Sequence, residues 1–246
     1  MPRTPHTVHV EAVQRLTPRM VRIVFTGELT GFAPGEFTDH YVKLQFPVGD
    51  RTRVRTYTMR EWDGERLTID FVVHGDEGVA GPWALAAQPG DRLQLMGPGG
   101  AYAPSPDADW HLMVGDPSVV PAISASLARV PAGRLVHVLL QGDGPEEEQP
   151  LSSSGDLRVQ WLHGDGDELL ADALRALEWP AGEVHAFVHG EASSVRAVRR
   201  HLLSERELPR EAVSISGYWK RTRTEEGWRE DKPEWNRLVE ADLSAA

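Results

Sequence analysis

The chain has 246 residues, is 40% hydrophobic and 26% charged, and carries a formal net charge of -11. That length has room for one large domain or two small ones, and the acidity argues against non-specific nucleic-acid binding. It contains no cysteine, which excludes disulfides, thiolate metal sites, iron–sulfur clusters and cysteine nucleophiles.

Residues 1–102 read as strands divided by turns. His9–Leu16 and Met20–Thr26 alternate apolar and polar residues, and Tyr41–Phe46, Arg53–Met59, Arg66–Val73 and Arg92–Met96 follow at similar intervals. Ala33-Pro34-Gly35, Pro47-Val48-Gly49-Asp50 and Gln88-Pro89-Gly90-Asp91 punctuate them. Six short strands so spaced predict an antiparallel six-stranded β-barrel. Pro82 in a glycine-rich loop predicts a short helix over Trp83–Gln88. A proline-rich linker at 103–109 then precedes a different pattern.

Over 110–217, strands predicted at His111–Val114, Leu135–Gln141, Leu157–Leu162, Val184–Val188 and Val213–Tyr218 alternate with helices at Ala122–Arg129, Glu168–Leu177 and Ser193–Leu203. That alternation predicts an α/β domain with a parallel sheet. Gly142–Gly155 is a polar loop where a crossover helix is otherwise expected. Residues 218–246 form a charged tail with Trp228 and Trp235, read as a helix lying on the rest of the protein. The charge is uneven: residues 1–102 hold 12 acids against 11 Lys/Arg, the remainder 25 against 15. No apolar run reaches the ~18 residues of a membrane span, and no signal core follows the first residues, so a cytoplasmic protein without membrane insertion is expected.

Two segments of the first domain carry chemistry. Arg51–Arg60 holds four arginines and no acid, and on a strand Arg53, Arg55, Tyr57 and Met59 share a face. A guanidinium grips phosphate in two places, a phenol ring stacks on a flat heterocycle, and a hydroxyl bonds its polar edge. The competing reading is an ordinary strand whose arginines pair with surface acids. In the second segment, Asp70–Ala84, a strand ends in a glycine-rich loop that enters a helix, where open backbone amides can cradle a pyrophosphate. No G-x-S-x-G elbow and no H-E-x-x-H spacing supports a hydrolase.

Five motifs in order, spanning roughly residues 7–226, carry a resemblance. Asp39-His40-Tyr41-Val42-Lys43-Leu44 looks like a D-H-x-K-L strand with one residue inserted, and Arg55-Thr56-Tyr57-Thr58-Met59-Arg60 like an R-x-Y-T-x-R flavin motif. His74-Gly75 followed by Gly78–Ala84 as one pyrophosphate loop, Gly97-Pro98-Gly99-Gly100, and Gly217-Tyr218-Trp219-Lys220-Arg221 complete the set of five. The chain resembles the siderophore-interacting proteins. That resemblance implies an FAD-binding barrel and an NAD(P)H-binding-like second domain. It further implies hydride transfer from NADPH or NADH to FAD, then one-electron reduction of a ferric siderophore to release Fe(II).

Carried over by position, Arg55 contacts the FAD phosphates, Tyr57 lies on or beside the flavin, and Thr58 bonds its redox-active ring. Asp70, Val72, His74, Gly81, Pro82, Trp83 and Ala84 flank the pyrophosphate side, with Ala84 donating from the helix start. Lys43, Arg60 and Lys220 form a basic rim for the anionic siderophore. On the nicotinamide side stand Asp116, Ser118, Gly190 and Glu191, although Pro117 replaces the Glu of the family pattern G-D-E-T-A-L-P-A-I and Thr222 stands where a glycine often follows the basic pair. Arg196, Arg199 and Arg200 could reach a 2′-phosphate or equally make a solvated helix face. No catalytic side chain and no metal site of the protein's own is expected. The alternatives are a ferredoxin as donor, a general flavin reductase, and a siderophore-binding protein without reductase activity.

Overall fold

The computed structural model describes residues 5–29, 31–32, 34–73 and 78–244. Two compact units emerge: residues through Ala103 with Pro121–Arg129, and Pro104–Val120 with Val130 onward.

In the first unit, strands β1 (His6–Thr17), β2 (Met20–Gly27), β3 (Tyr41–Val48), β4 (Arg51–Thr58), β5 (Glu61–Trp62), β6 (Leu67–Val72) and β7 (Arg92–Gly99) form one antiparallel sheet in the order β4-β3-β7-β1-β2-β6-β5. Six of the seven match the strands read from the sequence. The additional one, β5, is two residues long, too short for alternation to register, and pairs Glu61 with Thr68 across a tight turn. The sheet curls until Tyr57 of β4 lies 4.4 Å, ring to ring, from Phe71 of β6. Its interior holds Val8, Ile23, Phe25, Val42, Leu44, Phe46, Leu67, Ile69, Phe71 and Leu95, the inward half of each alternating strand.

Helix α1 spans Ala80–Ala86, three residues earlier than the sequence predicts. Pro82 therefore sits third in the helix rather than first. This costs nothing, because the first four amides of a helix have no carbonyl to meet.

The second unit is a parallel five-stranded sheet of β8 (Trp110–Gly115), β9 (Leu135–Gly142), β10 (Asp156–His163), β11 (Val184–Glu191) and β12 (Val213–Trp219), ordered β10-β9-β8-β11-β12. Helix α2 (Val120–Leu127) follows β8, α3 (Leu169–Ala176) follows β10 and α4 (Ala192–Arg200) follows β11. The passage from β9 to β10 has only a 3₁₀ turn at Pro145–Glu147, as the polar loop foretold. Strand order reverses between β8 and β11, the kind of switch point where open α/β sheets bind ligands at their strands' carboxyl ends.

The tail is structural. Helix α5 (Glu225–Ser244) inserts Trp228, Trp235 and Val239 into this unit's core, and Trp235 Nε1 donates to the Ala192 carbonyl at 3.2 Å. Among the described residues no helix is long and apolar enough to cross a membrane.

Buried histidines give the second unit an acid weakness. His111 is fully buried with neither ring nitrogen hydrogen-bonded, and desolvation pushes its pKa down to about 4. His189, stacked on Phe187 at 3.9 Å, is pushed down to about 3 by the same cause. Below pH ~6.5 the unfolded chain takes up protons that the folded chain refuses. Each histidine therefore removes about 1.4 kcal/mol of stability per pH unit until its folded pKa is reached. Urea midpoints should fall between pH 7.5 and 5.0, and His111→Leu should shrink that fall. An unchanged pH dependence in the variant would show that His111 takes no part.

Candidate functional site

In the first unit the two predicted flavin segments meet on Phe71. Tyr57 packs on it at 4.4 Å, and Trp83 of α1 reaches it from 5.9 Å while also stacking on Phe25 at 6.3 Å and meeting Phe46 at 5.5 Å. Tyr57 and Trp83 are both half-buried. Arg55, opposite Leu44 on β3, is buried, and its guanidinium donates to the Val54 carbonyl at 3.1 Å among its contacts. Thr58 is buried at the end of β4, and Val72 is half-buried at the end of β6.

No side chain caps α1. Gly81 and Pro82 remain partly exposed at its opening, while the Ala84 side chain is wholly buried. Because the helix opens at Ala80, Ala84 is its fifth residue, and its amide belongs to the intrahelical ladder. Among the described residues, the helix-start amides with no carbonyl of α1 to meet are those of Ala80 and Gly81, one turn before Ala84. His74 lies outside the described residues.

Asp70 is engaged by two arginines of its own unit. Its carboxylate accepts from Arg22 Nε at 2.7 Å and Nη2 at 2.8 Å, stands 3.5 Å from Arg60 Nε, and has no exposed side-chain surface. The two strands bring Arg22 and Asp70 directly opposite each other. Asp70 thus fixes two guanidiniums. Arg60, desolvated and beside Arg22, has its pKa lowered. Sequence reading missed Arg22, although it is the lone charge on β2 as Asp70 is on β6. Lys43 projects to solvent from β3 and makes no hydrogen bond or ion pair among the described residues. The basic strand, the half-buried rings and the uncapped helix make a set suited to a dianionic, flat cofactor such as FAD.

In the second unit the predicted nicotinamide residues converge at the switch point. Asp116, just past β8, accepts from Ser118 N at 2.8 Å, Ser118 Oγ at 2.5 Å, Glu191 N at 2.6 Å and Trp219 Nε1 at 3.0 Å. Burial pushes its pKa up, and these donors pull the other way. Gly190 has φ 129°, and a Cβ there would stand 2.4 Å from Asp116 Oδ2. Its glycine therefore serves an approach within the protein. Glu191 caps α4, accepting from Ser193 N at 2.6 Å and Ser194 N at 3.0 Å, and its other oxygen accepts from Arg221 N at 3.0 Å. Lys220, next to that contact, is half-exposed with no side-chain partner among the described residues.

The three arginines of α4 are not held out for a 2′-phosphate. Arg196 forms a bidentate pair with Asp242 at 2.7 Å, and Arg199 donates to the Val239 carbonyl and meets Glu240 at 3.2 Å. Arg200 pairs with Glu168 at 2.7 Å. The face read as solvated is largely the seat of α5. Sequence missed this because an exposed charged stripe and one paired with a distant helix look alike.

Comparison with known proteins accords with both units. A family model for the siderophore-interacting FAD-binding domain matches residues 9–54 and 46–102, and one for the siderophore-interacting protein matches residues 108–222. The ferric vibriobactin reductase ViuB of Vibrio cholerae is 36% identical over 88% of this chain and 90% of its own. The NADPH-dependent ferric-chelate reductase of Escherichia coli is 31% identical over 84% and 89%. The crystal structure of a siderophore utilization protein from T. fusca superposes with a TM-score of 0.80 at 35% identity, covering 91% of this chain and 95% of that one.

Proposed function

This chain belongs to the siderophore-interacting protein family, and from that premise we propose that it is an FAD-dependent ferric-siderophore reductase drawing on NADH or NADPH. The observation that carries the reading is the meeting of Tyr57 and Trp83 on Phe71, with the buried Arg55 two residues before Tyr57 on β4. FAD, when bound, accepts a two-electron hydride and yields electrons singly, which suits a nicotinamide donor to a one-electron Fe(III) acceptor. One donor molecule thus serves two ferric ions.

The chain's own residues bind and orient. The Arg55 guanidinium offers phosphate a paired, planar contact, and the amides of Ala80 and Gly81 present two more donors. Tyr57 offers a ring face for stacking, and the Thr58 hydroxyl a hydrogen bond to a polar ring edge. Lys43 in the first unit and Lys220 in the second, each without an acid partner among the described residues, are cations that an anionic ferric complex would meet, while Arg60 is steadied by Asp70. In the second unit Asp116 shapes the turn that ends β8 and the Gly190–Glu191 segment, where a nicotinamide donor would approach. The iron is cargo: Fe(II) binds hard oxygen ligands less tightly, so reduction releases it.

The test is spectroscopic. The purified protein should carry a yellow flavin that bleaches anaerobically with NADH or NADPH. Its colour should return when a ferric siderophore is added, with Fe(II) trapped by a chelator. Flavin that neither nucleotide bleaches moves the donor to a ferredoxin. Failure to bind FAD at all overturns the proposal.

A further inference from the structure

We propose that Asp143, the residue that follows β9, reads the adenosine ribose of the nicotinamide donor and selects NADH over NADPH. The inference rests on the reductase reading and names the donor that this reading leaves open. In open α/β sheets the phosphates of a dinucleotide lie at the switch point, and the adenosine ribose reaches the carboxyl end of the next strand in sequence. An acid at that end accepts the 2′-hydroxyl of NADH, whereas an arginine nearby receives the 2′-phosphate of NADPH. Here the first strand is β8, and the next, its neighbour in the sheet, is β9, which ends at Gly142.

Asp143 is exposed and heads a loop that holds only a 3₁₀ turn before β10. The end of β10 is level with it, because Gly142 pairs with His163. Gly164 N donates to the Gly142 carbonyl at 3.0 Å, and Gln141 Nε2 donates to the Gly164 and Gly166 carbonyls at 2.9 and 3.0 Å. His163 Nε2 lies 3.0 Å from Glu148 Oε1 and joins the two loops again. The loops after β9 and β10 are therefore laced into one rim. It carries Asp143 and Glu146–Glu148 from the first loop and Asp165, Asp167 and Glu168 from the second, and residues 142–149 and 163–168 contain no lysine or arginine. A Cβ on Gly144 would lie 2.6 Å from Glu146 Oε2, so that carboxylate folds back onto the start of the loop, next to Asp143 in the chain.

The cations brought to this rim are already engaged. Among the described residues, Arg221 donates to the Asp165 carbonyl and stands 3.8 Å from Asp167, and Arg200 pairs with Glu168 at 2.7 Å. Lys220 has no side-chain partner among the described residues, but it follows β12, on the other side of the switch point from β9. A 2′-phosphate adds nearly two negative charges to the ribose. Set among carboxylates it is repelled, while a 2′-hydroxyl donates a charge-assisted hydrogen bond to one of them. Repelling the competitor is a device of specificity in its own right, separate from attraction of the ligand.

The test uses the full-length protein loaded with FAD and its Asp143→Asn variant, which keeps an oxygen acceptor and loses the charge. Calorimetry with ADP-ribose and 2′-phospho-ADP-ribose reads the rim without electron transfer, and flavin bleaching by NADH and NADPH reads the donor. At low salt ADP-ribose should bind at least about tenfold more tightly than its 2′-phosphate, and NADH should be preferred to the same degree. Raising the salt to about 0.5 M should narrow that gap about threefold, which tests the charge with no substitution at all. In Asp143→Asn the two ligands should move in opposite directions, ADP-ribose weaker by about two- to threefold and its 2′-phosphate tighter by about fivefold. Equal or tighter binding of the 2′-phosphate by the native protein, or parallel changes in the variant, overturns the inference. Failure to bind ADP-ribose also overturns it. Flavin that neither nucleotide bleaches, in a protein that still prefers ADP-ribose, refutes the nicotinamide donor of the reductase reading while the selectivity of the rim stands.

Discussion

Asp116→Ala should lower the unfolding free energy by about 3–5 kcal/mol, one of the two largest effects expected of any single substitution here. The carboxylate gathers donors from three separate strand ends: Ser118 after β8, the Glu191 amide at the end of β11, and the Trp219 indole at the end of β12. Truncation leaves those donors in a site where the carboxylate itself is buried, and each unsatisfied buried group costs about 1–3 kcal/mol. Asp116→Asn tests charge against shape. It preserves volume but turns one acceptor into a donor facing other donors, so about half the loss should remain. Gly190→Ala attacks the same contact from the other side, since its methyl group would enter the space of Asp116 Oδ2. Urea unfolding reads all three, and near-UV circular dichroism reports the Trp219 environment. A loss below about 1 kcal/mol for Asp116→Ala would show that water replaces the carboxylate without penalty. In that case the switch point is held by the strands alone.

The strands and helices were legible because their signals are local. β2, β3 and β6 bury every second residue over most of their length, and α3 repeats Leu at helical spacing. The proline-glycine turns bounded them, and the missing crossover helix was foretold by a loop that no core could absorb. The flavin segments were legible as chemistry: an acid-free arginine strand in an acidic chain, and a glycine loop feeding a helix. What escaped were partners far apart in sequence. Arg22 and Asp70 are 48 positions apart, and Asp116 and Trp219 are 103 apart. Nothing in one sequence says which lone charge faces which. Asp70, Asp116 and Glu191 were therefore read as cofactor contacts, whereas each is committed to neighbouring protein groups. The ambiguity has one physical source. A buried acid that organises a site carries the same sequence signal as one that touches its ligand.

That distinction also decides what to expect of Arg55. Arg55→Gln should weaken FAD binding about 10- to 100-fold, the equivalent of losing a charge-assisted, two-pronged phosphate contact of about 1.5–3 kcal/mol. The residue is buried on β4, two positions before Tyr57, at the strand where the unit concentrates positive charge. Arg55→Lys separates charge from geometry: it keeps the cation and loses the planar fork, so its affinity should fall between the two. Flavin fluorescence quenching on titrating apoprotein with FAD measures each. The rival account is that Arg55, like Asp70, serves only the barrel, where it already bonds the Val54 carbonyl. On that account the apoprotein loses stability and the FAD dissociation constant stays put. If Arg55 serves the cofactor, the constant rises by more than any loss of apoprotein stability accounts for. The two measurements together assign Arg55 either to the cofactor or to the fold.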